Sequence, residues 1–467
     1  MRKHMPATFM KNLTAIAAIS FVLAALVLPQ ASDSNLRGII GKDKTNRSSA
    51  NKLETLSAAE HLSRGQTYFD NRQFPEAREH FQKIFDNYPN DPAMSGALFM
   101  TGRSYYWERE YAKAIPYLDR VAREFPTTKD GREGLNFKGA CNVRLGNNLE
   151  AARVYEQYTV MYPAGERFES AHLNIIDALR EAGRYDEANS WVENAVARFS
   201  GQPTETNALQ GRLRMFIWRG MWNEAIATAK QMQTRAKFAG SMTSLDEVKY
   251  LRGIALENGG KRSEALAMFG TIADFNGSFY GGLASDKINA ANNGRVKRTA
   301  KISSTATDYP VVFRSDVLQE TKKRNIDARF VLAIMKQESS FRPDAKSPAA
   351  ARGLLQLTYD TALKYNQKAG FQSIQPDDLY SVRTNLAIGC EYIAALKEEF
   401  GGLYEAIAAS YNGGEDNAMR WLNRSKPKEP GIFTAEIGFA ETKDYVFKVM
   451  RNYRIYRQLY DENLNRK

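Results

Sequence analysis

The chain has 467 residues, 43% of them apolar and 11% aromatic, which suffices for the cores of two or three domains and excludes a disordered polypeptide. Its 65 Lys and Arg against 53 Asp and Glu give a formal charge of +12, suited to a polyanionic surface such as a cell-wall polymer or a membrane face. Two cysteines, Cys141 and Cys390, stand far apart in different domains, which excludes a disulfide framework and predicts two buried thiols.

The N-terminus opens Met1-Arg2-Lys3-His4 and continues into an uncharged run from Leu13 to Leu28 that ends at Pro29-Gln30-Ala31. A basic start, an apolar middle and a small residue at the cut predict a secretory signal over 1–31, and hence export to the periplasm. The run is short of the roughly 20 apolar residues that a stable membrane anchor needs, so none is expected. Residues 32–56 are polar and read as a flexible tether.

From 57 to 285 the chain repeats itself. Ala77, Ala114, Ala151, Ala188 and Ala225 follow one another at intervals of 37 residues. Around them recur Phe74-Pro75-Glu76-Ala77, Tyr111-Ala112-Lys113-Ala114, Tyr185-Asp186-Glu187-Ala188 and Trp222-Asn223-Glu224-Ala225, with looser copies at Glu150-Ala151 and Glu264-Ala265. An aromatic three residues before a small Ala, between two amphipathic stretches, describes a helical hairpin whose Ala lets the helices approach closely. Such hairpins bury their faces only by stacking, so a helical-repeat solenoid is predicted; it resembles the tetratricopeptide family, with a slightly longer period. Its surface is the expected place for protein partners.

Residues 286–309 lose apolar periodicity and read as a linker. Helical spacing returns in a domain over 310–467, at Val317–Arg324, Ala328–Ser339, Tyr359–Tyr365, Val382–Phe400, Leu403–Ser410, Asn417–Leu422 and Lys443–Tyr460. The fold class is thus mainly α, a solenoid followed by a mostly helical domain. That domain contains no histidine, since the only four are His4, His61, His80 and His172. A Ser-His-Asp site and a His-based metal site within it are excluded, no phosphate-binding loop is present, and no metal or cofactor is expected. The last helix interleaves Lys448, Arg451, Arg454 and Arg457 with tyrosines, a pattern open to an acidic surface; the export signal argues against nucleic acid.

The chemistry left to this domain is that of carboxylates, hydroxyls and amides, and Glu338 is its candidate catalytic acid. It closes the apolar run Val331-Leu332-Ala333-Ile334-Met335, and apolar surroundings raise a carboxyl pKa toward the range in which one group can give and take back a proton. Glu338-Ser339-Ser340-Phe341, Ser347-Pro348, Gly353-Leu354-Leu355-Gln356-Leu357, Ala409-Ser410-Tyr411-Asn412-Gly413-Gly414 and Phe439-Ala440-Glu441-Thr442-Lys443-Asp444-Tyr445 occur in order along the chain. In this order they resemble the soluble lytic transglycosylase family, firmly over this domain and loosely over the solenoid.

The resemblance implies a lysozyme-like catalytic domain acting on peptidoglycan. Such a domain would cleave the β-1,4 bond from N-acetylmuramic acid to N-acetylglucosamine without water, with Glu338 as acid and then base. It further implies that Ser347 bonds an N-acetyl group or the oxocarbenium-like centre unless it caps a helix. Gly353 would let the backbone approach sugar, and Leu355 and Gln356 would lie at the substrate, Gln356 alternatively fixing the site. Tyr411 and Asn412 would line the cleft, while Glu441 and Tyr445 would bind substrate or order the site. Departures from the family pattern are Leu355 for Met, Thr358-Tyr359 for Met-Pro, Gly413 for Ala, Lys443 for Arg, and Ala350 for a Gly, which a positive φ would disfavour. Two other functions stay open at this point: a noncatalytic peptidoglycan-binding scaffold, and a hydrolytic muramidase of the same fold.

Overall fold

The computed structural model of the protein describes residues 29–292 and 305–467. The expected signal segment lies outside the described residues except for its last three, which open helix α1 (Pro29–Thr45).

Six helical hairpins follow: α2 (Ala58–Asp70) with α3 (Phe74–Asn87), α4 (Ala93–Trp107) with α5 (Tyr111–Glu124), α6 (Lys129–Arg144) with α7 (Asn148–Met161), α8 (Phe168–Glu181) with α9 (Tyr185–Arg198), α10 (Pro203–Arg219) with α11 (Trp222–Arg235), and α12 (Leu245–Asn258) with α13 (Arg262–Gly270). Ala77, Ala114, Ala151, Ala188 and Ala225 all have 0% exposure, because each sits where the second helix of a hairpin crosses its neighbours. A second small-residue register lies on the first helices at Gly65, Gly102 and Gly139. A Cβ there would come within 2.4 Å of Phe81, 2.7 Å of Leu118 and 2.7 Å of Tyr155, respectively. Gly65→Ala is therefore expected to destabilise the protein by about 1–3 kcal/mol through overpacking, against the helix-propensity gain of an alanine. Denaturant titration measures it, and an unchanged midpoint would show that Phe81 swings aside at no cost.

The turn between paired helices uses a left-handed residue at the same repeat position: Arg72, Arg109, Gly146, Gly183 and Gly220, with φ of 61°, 63°, 75°, 73° and 71°. Arginine tolerates this conformation less well than glycine, by about 1–2 kcal/mol. The two arginines are also the two that leave the solenoid: Arg72 pairs bidentately with Asp360 (2.7 and 2.8 Å) and Arg109 pairs with Glu415. Backbone strain is accepted where the side chain ties the solenoid to the second domain.

The segment read as a tether is ordered instead. Leu36 and Asp43 of α1 are buried, and Asp43 accepts from Arg64 (2.5 Å), Tyr68 (2.8 Å) and His80 (3.1 Å). Polar composition concealed this helix because its docking uses charged groups satisfied only by the folded first hairpin. Behind Asp43 the hydrogen bonds dictate the proton positions. The Leu56 N–H donates to His61 Nε2 (3.0 Å), so His61 carries its proton on Nδ1 and donates it to His80 Nδ1 (3.0 Å), leaving His80 Nε2–H for Asp43. Both rings are neutral, and protonating either sets two donors face to face.

Burial and the neighbouring His80 hold the His61 pKa down at about 4. The unfolded chain consequently binds its proton first. Stability is expected to fall by about 2–3 kcal/mol as pH drops from roughly 6.5 to 4, and that window should flatten in His61→Gln. Denaturant midpoints at the two pH values measure it; an equal pH dependence in both proteins would refute the relay.

After α14 (Phe279–Ala291), which continues helical through the start of the expected linker, the C-terminal domain comprises α15 (Arg314–Lys323), α16 (Ala328–Glu338), α17 (Tyr359–Tyr365), α18 (Val382–Glu399), α19 (Tyr404–Gly413), α20 (Glu415–Asn423), α21 (Pro430–Glu436) and α22 (Ala440–Leu459). Of these, α21 had no counterpart in the sequence pattern: it is seven residues long, with a proline at its start. Residues Phe330 to Met335 of α16 are all buried in the domain core, where the helix packs on α22 and α15 and the Phe330 ring meets Tyr404 of α19 and Tyr453 of α22. Cys141 and Cys390 are buried free thiols. Among the described residues, no helix is long and apolar enough to cross a membrane.

Helix α1 and the solenoid pack against the C-terminal domain, from Arg37 of α1 with Asp377, through Glu181 with Arg420 and Arg424, to Asp274 with Arg454. Of the basic row on α22 only Arg454 is drawn into this contact; Lys448, Arg451 and Arg457 stay exposed. Arg454 is spent on Asp274, Lys448 on Asp444, and the Arg457 guanidinium lies over the Tyr453 ring.

Candidate active site

Glu338 is the last residue of α16, carried to the end of the buried helix by the apolar run before it and released by a turn in which Ser340 and Phe341 take φ of 50° and 66°. Desolvation raises its pKa to about 7, with the hydrogen bond from Tyr445 opposing and the charge of Glu441 adding to the rise. The C-terminal end of the helix dipole also disfavours a negative charge there. The side chain remains partly exposed, so the group is both protonatable near neutrality and reachable.

Tyr445, buried on α22, donates from its hydroxyl to Glu338 Oε1 at 2.6 Å. Glu441, one turn earlier on the same helix, is exposed, its pKa raised by desolvation, and Asn412 hydrogen-bonds it. Asn412 Oδ1 in turn accepts from Thr442 Oγ1 at 2.6 Å. Helix α22 and the end of α19 thus bring Glu338, Tyr445, Glu441 and Asn412 together. Among the described residues, no second carboxylate hydrogen-bonds Glu338; Glu441 acts on it only through its charge.

The loop after Glu338 is held as a rigid wall. Tyr411 donates to Leu355 O at 2.6 Å while its ring lies 5.2 Å from that of Tyr392. Gln356 donates through Nε2 to Gly353 O (2.8 Å) and Ala345 O (3.0 Å), so its amide fixes the loop. Ser347 Oγ accepts from the Ala351 N–H at 3.1 Å, a turn-capping bond.

Two residues expected at the sugar stand elsewhere. Leu355 has 0% exposure and packs into the core against Gly389, because the loop turns its side chain inward. Gly353, at φ 76°, makes its close approach to protein: a Cβ would fall 2.2 Å from Leu379 O and 2.3 Å from Asn385 Nδ2. Ala350 does adopt the positive φ that glycine would take more easily, at 58°.

Sequence reasoning missed the residues that hold this wall from behind. Asn385, fully buried on α18, accepts from Leu355 N (2.8 Å) and donates to Arg352 O (2.9 Å) and Leu379 O (2.8 Å). Ser339 Oγ donates to Leu354 O at 2.8 Å. A signal for Asn385 existed: it is a lone amide facing the core beside Leu386, Ala387 and Ile388, where an unsatisfied polar group is costly. Among the described residues, no cluster of His, Cys, Asp and Glu is arranged to hold a metal ion.

Residues 316–433 match the family model described as Transglycosylase SLT domain, and residues 62–128 and 142–203 match tetratricopeptide repeat models. The soluble lytic murein transglycosylase of Escherichia coli K12 is 31% identical over 153 residues, covering 32% of this chain and 23% of that protein. The putative soluble lytic murein transglycosylase of Haemophilus influenzae is 35% identical over 174 residues, 36% of this chain and 29% of that protein. The matched region thus spans less than a third of the length of either relative. The X-ray structure of an inactive Glu-to-Gln mutant of the lytic transglycosylase Slt from Pseudomonas aeruginosa superposes with a TM-score of 0.51 at 16% identity, covering 92% of this chain and 87% of that one, a likeness of fold.

Proposed function

From the premise that this chain joins a transglycosylase SLT domain to tetratricopeptide repeats, we propose that it is a peptidoglycan lytic transglycosylase. Glu338, in its protonated form, gives its proton to the glycosidic oxygen as the bond from muramyl C1 breaks, and the N-acetylglucosamine leaves with a free hydroxyl. The resulting carboxylate takes the proton of the muramyl C6 hydroxyl, whose oxygen closes on C1 to form a 1,6-anhydro ring. Water enters neither step, and the proton returns to Glu338. The internal nucleophile is already in place, so a second catalytic carboxylate or a positioned water is not required.

One observation carries this reading. A single carboxyl with a pKa near 7 stands at the end of α16, bonded by a tyrosine and by no other acid among the described residues. Tyr445 orients that carboxyl, Glu441 and Asn412 line the approach, and Tyr411 and Gln356 hold the opposite loop. We further propose that the protein is exported to the periplasm, where its substrate lies. Mass spectrometry of digested peptidoglycan tests the reaction. Transglycosylation leaves anhydromuramyl ends lighter by one water, whereas reducing muramyl ends would make the enzyme a hydrolase and overturn the proposal.

A further inference from the structure

The first turns of α22 send side chains to both domains. Thr442 and Tyr445 face the cleft, at Asn412 and Glu338, while Lys443 points the other way, to Glu247 Oε2 of solenoid helix α12 at 2.6 Å. Lys443 is 3% and Glu247 1% exposed. Glu247 is itself held from within the solenoid: Tyr280 donates to Oε2 (3.0 Å) and Gln210 to Oε1 (2.6 Å). A lysine this deep would be heavily penalised without its partner, so the pair sets the height of α22 against the repeats.

The stretch leading into α22 is held by the same repeats. Gly431 packs on the Tyr250 ring, Tyr250 donates to Glu429 (2.8 Å), and Gln210 donates to Ala435 O (3.3 Å). The catalytic-type domain thus delegates the placement of α21 and the start of α22 to the solenoid, and Tyr445 lies half a turn beyond the last of these ties.

We propose that the Glu247–Lys443 pair is a positioning device through which the solenoid places the Tyr445 hydroxyl on Glu338, so that the repeats serve the chemistry as well as the architecture. This rests on the reading of Glu338 as the acid. The groups facing Lys443 are Glu247 on α12, Arg214 on α10 and Glu436 on α21; those facing Glu338 are Tyr445 and Glu441 on α22 and Tyr411 on α19. Of the latter, Tyr445 favours the ionised carboxylate by donating to it, against the desolvation that favours the neutral acid. When α22 shifts and this bond lengthens, Glu338 holds its proton to higher pH, and the alkaline fall of turnover moves upward.

The test uses the full chain carrying Glu247→Gln together with Lys443→Met, which removes both charges and leaves neither unpaired. The expected result is a kcat lower by about tenfold with KM changed less than about twofold, and an alkaline limb displaced to higher pH, since small misplacements of a catalytic group carry penalties of this order. In a Tyr445→Phe background the same pair should add less than about a twofold loss, because the two changes act through one bond. A folded pair variant with the wild-type pH profile, or losses that multiply in the Tyr445→Phe background, overturns the inference. If the pair variant does not fold, Tyr280→Phe, which removes one donor from Glu247, carries the same test: a limb moved to higher pH supports the device, and an unmoved limb overturns it. Glu338→Gln in the same assay separates the two levels. Turnover surviving in Glu338→Gln refutes the acid itself, whereas its loss beside an unshifted limb in the Glu247→Gln, Lys443→Met pair variant refutes only the positioning role.

Discussion

Glu338→Gln is expected to lower turnover by at least about 10²-fold while leaving the protein folded and able to bind glycan strands. The amide keeps the shape of the carboxyl and can still meet the Tyr445 hydroxyl, now at 2.6 Å from Oε1. What it cannot do is release a proton and recover it. The native group already spends much of its time neutral, because burial places its pKa near 7, so replacing it by a neutral amide removes an ionisable group without stranding a partner charge. Stability is therefore expected to stay level or rise slightly, and a thermal shift measured beside the activity separates lost chemistry from lost fold. On the proposed mechanism the first step needs the protonated form, so turnover should hold below about pH 7 and fall above it. Unchanged turnover in the Gln variant would refute the mechanism outright, and an alkaline limb that survives it would assign the titration to another group.

Legibility in the sequence followed the range of the interaction. The alanine register was readable because each hairpin repeats the same crossing, and the glycines at 65, 102 and 139 carry the same period on the opposite helix. Glu338 was readable because the run of apolar residues before it becomes a fully buried helix, leaving the carboxyl at its end. Its neighbours were harder. A motif such as Gly353-Leu354-Leu355-Gln356 mixes residues that face the core, the backbone and the cleft, and only the fold sorts Leu355 inward from Gln356. The match to the SLT domain model itself ends at residue 433, short of Glu441 and Tyr445. Least legible were the ties between domains. Arg180 meets Glu436 across 256 residues of chain, and nothing periodic or local marks either as a partner.

Those ties carry the largest stability effect expected. Glu436→Ala should destabilise the protein by about 3–5 kcal/mol, the range for breaking a buried ion pair from one side. Glu436 is 1% exposed and accepts from Arg180 (2.8 and 3.0 Å) and Arg214 (3.0 Å) of the solenoid, while Arg424 of its own domain places Nε 3.1 Å from it. Burial alone would push its pKa up; the guanidiniums outweigh burial and hold it below the usual range. Removing it leaves three buried arginines to share Asp177 and Glu181, and none can shed its charge, because arginine stays protonated in proteins. Contrast Glu79, which pairs bidentately with Arg47 but near the surface: Glu79→Ala should cost less than about 1 kcal/mol. Denaturant unfolding of the two variants gives the comparison, and salt should narrow the Glu79 effect while leaving that of Glu436 intact. Because the folded pKa of Glu436 is depressed, its contribution is present above the unfolded carboxyl range near pH 4.3 and is lost as pH falls below it. A Glu436→Ala loss within about 1 kcal/mol of that of Glu79→Ala would mean that apolar packing alone joins the domains. The predicted excess would instead make this charged seam the element that obliges solenoid and C-terminal domain to fold as one body.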